Sequence, residues 1–187
     1  MIRGVVLAGG KSRRFGSDKA LAVYQGESFL TRAFKLLTNL NLSPVFVTRD
    51  GADHSFFGSA ILYDHLPEKG PLGGIYTAMR KFPEDDLLVL TCDMPALEEK
   101  LLIPLLKEYN EKPCPVFYRM WDGVVQPFPG IYPRGLFSFI FKNIFEEKLS
   151  MHALIGPLTD KKTISFDGPP EFLANINCPD ELKVLGS

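Results

Sequence analysis

The chain has 187 residues, 45% of them hydrophobic, and a formal net charge of −1, which is enough apolar material for one well-packed domain spanning residues 1–187. This balance excludes a general nucleic-acid binder, which carries a broad basic face. No apolar stretch approaches the roughly 20 residues that cross a bilayer, and Met1 leads straight into an apolar strand rather than a signal peptide, so a cytoplasmic protein with a small-molecule partner is expected.

In chain order, the apolar run 2–7 reads as a strand that opens into Leu7-Ala-Gly-Gly-Lys-Ser-Arg-Arg-Phe-Gly-Ser-Asp-Lys19. Gly9 and Gly10 let backbone N–H groups approach a phosphate closely, and Arg14 and Lys19 supply positive charge. Arg3, Lys11, Arg13 and Arg14 all precede the first acidic residue, Asp18, so this end is locally basic and suits a polyphosphate such as a nucleotide. The spacing fits neither a dinucleotide fingerprint nor a P-loop, because the glycines fall at 9, 10 and 16 and Lys19 lies beyond them.

Ser28 caps a helical pattern of Phe29, Leu30, Ala33, Phe34, Leu36 and Leu37. Val45–Val47 reads as a strand ending at Thr48, 51–59 as a loop, and Ala60–Tyr63 as a further strand. After Asp64, Gly70 and Pro71 predict a tight turn, with Gly73 and Gly74 permitting close backbone approach before a helix from about Ile75 to Lys81. Leu87–Thr91 is a strand buried on both faces. It delivers Asp93 at its carboxyl end, where Pro95 stops the strand. An aspartate oxygen there is a hard donor suited to Mg²⁺, which takes one or two carboxylates together with substrate phosphates; an isolated Asp-x-Pro is also a common turn.

Leu101, Leu102, Leu105 and Leu106 predict another helix, and Val116–Tyr118 another strand. The proline-rich stretch 112–133 otherwise reads as loops, and the aromatic segment 136–145 as a buried helix. Trp121 is expected to be a partly buried anchor or to line a pocket. Cys92, Cys114 and Cys178 are odd in number and too widely spaced for a disulfide framework or a zinc site, so they read as packed thiols. His54, His65 and His152 lack ligand spacing. The alternation of strands and helices predicts an α/β fold with a mostly parallel sheet covered on both sides, binding its ligand beyond the carboxyl ends of the strands.

The 7–19 segment resembles the L-A-G-G-x-S-x-R-[MF]-G-x-D-K signature of the molybdenum cofactor guanylyltransferases, a branch of the nucleotidyltransferases. Three further segments also resemble that family: Cys92-Asp-Met-Pro95, Gly70-Pro-Leu-Gly-Gly74 with Asp64, and Asn175-Ile-Asn-Cys-Pro-Asp-Glu-Leu182. The resemblance implies a Rossmann-like three-layer sandwich. It implies transfer of GMP from GTP to the terminal phosphate of molybdopterin, or of its molybdenum-loaded form, with release of pyrophosphate and with Mg²⁺ on Asp93.

By the same resemblance Arg14, Lys19 and Asp93 are catalytic. Leu7, Ala8, Gly9, Gly10, Lys19, Thr48, Asp64, Gly73 and Asp93 line the nucleotide, and Asn175 and Asn177 face the pterin. The asparagine pair also reads as a plain turn before the last helix, and Asp64 as a solvated acid; as a ligand, Asp64 can accept from guanine or from ribose hydroxyls. Two departures are visible. Thr48 stands where the family often has Asn or Ser, and Cys178 replaces a threonine that is the better helix cap. Gln126–Tyr132 resembles a segment bordering the acceptor pocket.

A cytidylyltransferase acting on the pterin or on a sugar or polyol phosphate is the competing enzyme, although Gly9 beside Gly10 tips the choice to guanine. A non-catalytic GTP-binding adaptor, working with other cofactor-biosynthesis proteins, is the alternative from a different class.

Overall fold

A computed structural model describes residues 1–8, 19–49 and 60–185. The expected phosphate loop, with Gly9, Gly10 and Arg14, and the expected loop 51–59 lie outside the described residues.

The chain runs β1 (Ile2–Leu7), a hairpin of β2 (Val23–Tyr24) and β3 (Glu27–Ser28), α1 (Phe29–Asn39), β4 (Val45–Thr48), β5 (Ile61–Tyr63) and α2 (Gly70–Lys81). It continues through β6 (Asp86–Thr91), α3 (Ile103–Glu111), β7 (Val116–Arg119), β8 (Val125–Tyr132), α4 (Phe137–Phe145), α5 (Met151–Ile155), β9 (Lys162–Ser165) and α6 (Pro179–Leu185). Seven strands form one sheet in the order β5-β4-β1-β6-β8-β7-β9. The central strands are apolar throughout because both faces are covered: Val5, Val6, Leu87, Leu88, Val89 and Leu90 are fully buried.

The two covering layers follow from alternation along β1. A Cβ at Gly4 would strike the Leu37 side chain of α1, whereas Leu7 packs against Gly74 of α2. Residues 4 and 7 point to opposite faces of a strand, so α1 and α2 lie on opposite sides of the sheet. The aromatic rings of Phe137 and Phe141 in α4 stack on Tyr76 of α2, and the turn leading into α3 packs against α1. The result is the three-layer α/β sandwich expected from the alternation.

Register fixes the functional rim. β1 is parallel to both β4 and β6, with Leu7 opposite Val47 on one side and Thr91 on the other. The carboxyl ends of three strands therefore finish level. The chain moves outward from β1 to β4 and β5, then returns across β1 to β6. Such a reversal of strand order opens a crevice where ligands bind in open α/β sheets.

Several expectations are corrected. The expected strand at Val116–Tyr118 is β7, but the rest of 112–133 is not all loop: it holds β8, an interior strand between β6 and β7. Proline is tolerated there because the β7–β8 register jumps between Phe117 and Tyr118, leaving 127–129, with Pro127 and Pro129, outside the paired positions. The second glycine-rich helix begins at Gly70 rather than near Ile75, because Leu72, Gly73 and Gly74 are buried against the sheet and the preceding loop. The aromatic helix α4 is only half buried, since Phe141 and Phe145 face outward while Ile140 and Ile144 face the core. Trp121 is 88% exposed, on the turn joining β7 to β8, and so is not the partly buried anchor expected. Cys92 and Cys114 are buried free thiols, as expected of packed small residues.

Candidate functional site

Lys19 opens a short 3₁₀ turn over Lys19–Leu21 that is pinned by burial of its neighbour Ala20. The following hairpin turns at Gln25 and Gly26, both with positive φ, as a tight two-residue turn requires. Phe29 N–H donates to the Ala22 carbonyl at 2.8 Å, tying this turn to the start of α1. Asp93 follows β6 directly. Buried Cys92 and Met94 flank it, and Arg32 of α1 donates to the Pro95 carbonyl at 3.0 Å, so its loop is fixed from below.

These two segments, 74 residues apart in sequence, meet at the rim. Lys19 Nζ lies 2.9 Å from Asp93 Oδ2 and 3.1 Å from Asn177 Oδ1. The side chains of Lys19 and Asp93 are 14% and 21% exposed. This partial desolvation strengthens an ion pair beyond a surface one, yet leaves an edge open to a ligand.

Asn177 arrives on an extended strap at 174–177, where Ile176 is buried and donates its N–H to the Asp93 carbonyl at 2.8 Å. Asn175 and Asn177 flank Ile176, so they share the exposed side of the strap. Of the two asparagines, it is Asn177 whose side chain meets Lys19. The cap weakened by Cys178 is supplied from within α6, where the Glu181 carboxylate accepts from the Asn177 backbone N–H. That bond is the main cause holding the Glu181 carboxyl below its usual range.

Three buried polar atoms at this rim have no hydrogen-bond partner among the described residues: Thr48 Oγ1, Thr91 Oγ1 and Asp93 Oδ1. Thr48 ends β4 and Thr91 ends β6, on either side of β1. An unpaired buried polar atom costs stability, and three at the ends of the two strands that flank β1 call for an explanation at this rim.

Farther along the rim, Asp64 follows β5 and is held by its own loop. Its N–H donates to the Thr48 carbonyl at 2.7 Å, and its Oδ1 accepts from Leu66 N–H and Thr77 Oγ1, each at 2.9 Å. Leu7 and Ala8 end β1 at the same edge, but the Leu7 carbonyl accepts from Cys92 N–H and the Ala8 N–H donates to the Val47 carbonyl. Those backbone groups are used by the sheet.

Gly73 lies under the Asp64 loop, with a hypothetical Cβ only 2.3 Å from the Leu66 carbonyl oxygen. Glycine is required there by packing of helix on loop. Sequence reasoning passed over Thr77, Thr91 and Glu181. Glu181 could have been found from its position three residues after Cys178, the spacing of a capping box; nothing in the pattern around Thr77 or Thr91 marks either one.

A Lys and an Asp converging at the switch point of a mostly parallel sheet give the ligand crevice of an open α/β fold, and the comparisons say to which class of protein it belongs. The model of the MobA-like NTP transferase domain matches residues 4–158. The chain belongs to this family of nucleotidyltransferases. It is 30% identical over 190 residues to a Bacillus subtilis protein named "Probable molybdenum cofactor guanylyltransferase", covering 97% of this chain and 92% of the relative. A Geobacillus protein of the same name is 36% identical over 136 residues, covering 70% and 69%. The crystal structure of molybdopterin-guanine dinucleotide biosynthesis protein A from Archaeoglobus fulgidus superposes with a TM-score of 0.78 at 24% identity, covering 98% of this chain and 96% of that one. At that identity the likeness speaks for the fold. No helix among the described residues is long and apolar enough to cross a membrane.

Proposed function

We propose that this chain transfers GMP from GTP to the terminal phosphate of molybdopterin or its molybdenum-loaded form. The observation that carries the reading is the meeting of Lys19, Asp93 and Asn177 within hydrogen-bond reach at the switch point. The chemistry exchanges one phosphoanhydride for another. An acceptor phosphate oxygen attacks the α-phosphorus of GTP, the bond from that phosphorus to the bridging oxygen breaks, and pyrophosphate leaves with the electron pair.

No covalent enzyme intermediate is needed. The residues must align two anions and lower the repulsion between them. Lys19 is placed to contact the phosphates, with Arg14 assigned to the same task from the sequence. Thr48, Asp64 and the loop above Gly73 face the nucleoside end, and Asn175 and Asn177 lie on the acceptor side.

Mg²⁺ fits this donor set. Asp93 Oδ1 is a buried hard oxygen with no partner among the described residues, which contain no cluster of three or more acidic, histidine or cysteine ligands. One carboxylate completed by phosphates and water is a common magnesium environment. When bound there, the ion would neutralise charge on the triphosphate.

The test is pyrophosphate release with purified molybdopterin and Mg²⁺, comparing GTP with CTP. Release with GTP alone, matched by formation of the guanine dinucleotide, is expected. Equal or greater release with CTP would move the assignment to a cytidylyltransferase, and GTP binding without release would move it to a binding protein.

A further inference from the structure

Asp64 is not a freely hydrated carboxylate. Its Oδ1 already takes two hydrogen bonds, from Leu66 N–H and from the Thr77 hydroxyl, both at 2.9 Å. Those two donors occupy the acceptor capacity of that oxygen, so the acceptor capacity left for a ligand is that of Oδ2. Thr77 is 2% exposed, in the second turn of α2. Its hydroxyl is used in both directions, donating to Asp64 and accepting from His65 N–H at 3.0 Å.

One buried hydroxyl thus clamps both residues that follow β5 and fixes which way the Asp64 carboxylate turns. The helix carrying it is seated on the sheet through Gly74, whose hypothetical Cβ would lie 2.8 Å from the Leu7 side chain. The clamp is therefore referenced to the same strand, β1, that leads toward the phosphate loop.

We propose that Thr77 is a positioning residue for nucleotide recognition, orienting Asp64 so that a single carboxylate oxygen is presented to the nucleoside portion of the bound nucleotide. The inference rests on the GTP-dependent reading above. It adds that nucleotide affinity depends on a side chain with no ligand contact of its own, and that Asp64 offers one acceptor rather than a two-oxygen fork.

The test is a double-mutant cycle read by calorimetric GTP binding and by steady-state kinetics. Thr77→Val keeps the shape and removes the hydroxyl. It is expected to weaken GTP binding and raise the KM for GTP roughly tenfold, as for loss of a hydrogen bond to a charged group, with kcat and the acceptor KM unchanged. Thr77→Ser, which keeps the hydroxyl, is expected to restore wild-type affinity. In an Asp64→Ala background, Thr77→Val is expected to add nothing.

Unchanged GTP affinity in Thr77→Val would overturn the proposal. So would an equal loss in the Asp64→Ala background, or a parallel fall in kcat and in acceptor and GTP affinity, since each of these describes a residue that acts only through the fold. Wild-type protein that binds no GTP would instead refute the underlying functional reading, and the positioning role with it.

Discussion

Replacing Gly73 with alanine probes the coupling between α2 and the Asp64 loop. The new Cβ would sit 2.3 Å from the Leu66 carbonyl oxygen and 3.2 Å from its carbon. The obstacle is backbone, so no side chain can swing away. Relief requires the loop to move, and that carbonyl also accepts from Lys69 N–H at 2.9 Å while the Leu66 N–H holds Asp64.

Overpacking of this kind costs about 1–3 kcal/mol, and a weakened hydrogen bond adds about 0.5–1.5 kcal/mol. The helical preference of alanine over glycine returns up to about 1 kcal/mol. The net loss of about 0.5–4.5 kcal/mol corresponds, at about 2–4 °C per kcal/mol for a chain of this size, to a Tm lower by roughly 1–18 °C. Thermal unfolding should show that drop together with weaker GTP binding, because the displaced segment carries Asp64. Gly135→Ala is the control: its Cβ meets nothing within 4 Å and its φ is ordinary, so its Tm should equal or exceed that of wild type. A Gly73→Ala protein with wild-type Tm and GTP affinity would refute the argument.

Thr48→Val should leave Tm unchanged or slightly raised, since it removes a buried hydroxyl with no partner among the described residues, while weakening GTP binding about fivefold through loss of a bond to the nucleotide; paired melting and binding curves separate the two effects. Asp86 marks the opposite end of β6, where it accepts from the Tyr109 hydroxyl and from Arg134 N–H, and where burial, followed by the Asp86 hydrogen bond, raises the Tyr109 phenol well above its ordinary range. Asp86→Ala should therefore lower stability by about 1–3 kcal/mol in denaturant titration without altering the KM for GTP. Glu181 has a folded-state pKa below its usual 4.5. Its contribution to the strap is complete above that usual value and fades as pH falls through the lowered one. The protection of the Asn177 amide against exchange, corrected for the intrinsic pH dependence of exchange, should fall over that acidic window in wild type, and in Glu181→Gln should already be low at neutral pH and vary little across the window.

Much of the fold was legible because the central strands are buried on both faces. The apolar runs at Val5–Leu7, Val45–Val47 and Leu87–Leu90 are the pattern of strands covered on both faces. β8 was hidden by Pro127 and Pro129, which break the local strand pattern but sit at a bulge. β9, Lys162–Ser165, contains one strongly apolar residue because it is an edge strand. The start of α2 was obscured by Gly70, Pro71, Gly73 and Gly74. These have poor helix propensity but pack where larger residues cannot.

At the site, the loop chemistry of Lys19 and Asp93 was readable, and topology explains their meeting, since each follows a strand whose carboxyl end reaches the same rim. The link from Asn177 to Lys19 was not readable. It depends on a strap returning from beyond β9, and no local pattern encodes where such a segment lands. Thr77 is invisible for a similar reason: its partner is thirteen residues away across a loop, and its hydroxyl matters only once α2 is seated.

Pyrophosphate release by Asp93→Ala, measured with GTP, Mg²⁺ and molybdopterin beside wild type, tests the central claim most directly. A folded variant with metal-dependent release abolished is the predicted result. Release at the wild-type rate from that variant would contradict the assignment of Asp93, and with it the account of how this rim transfers a nucleotide.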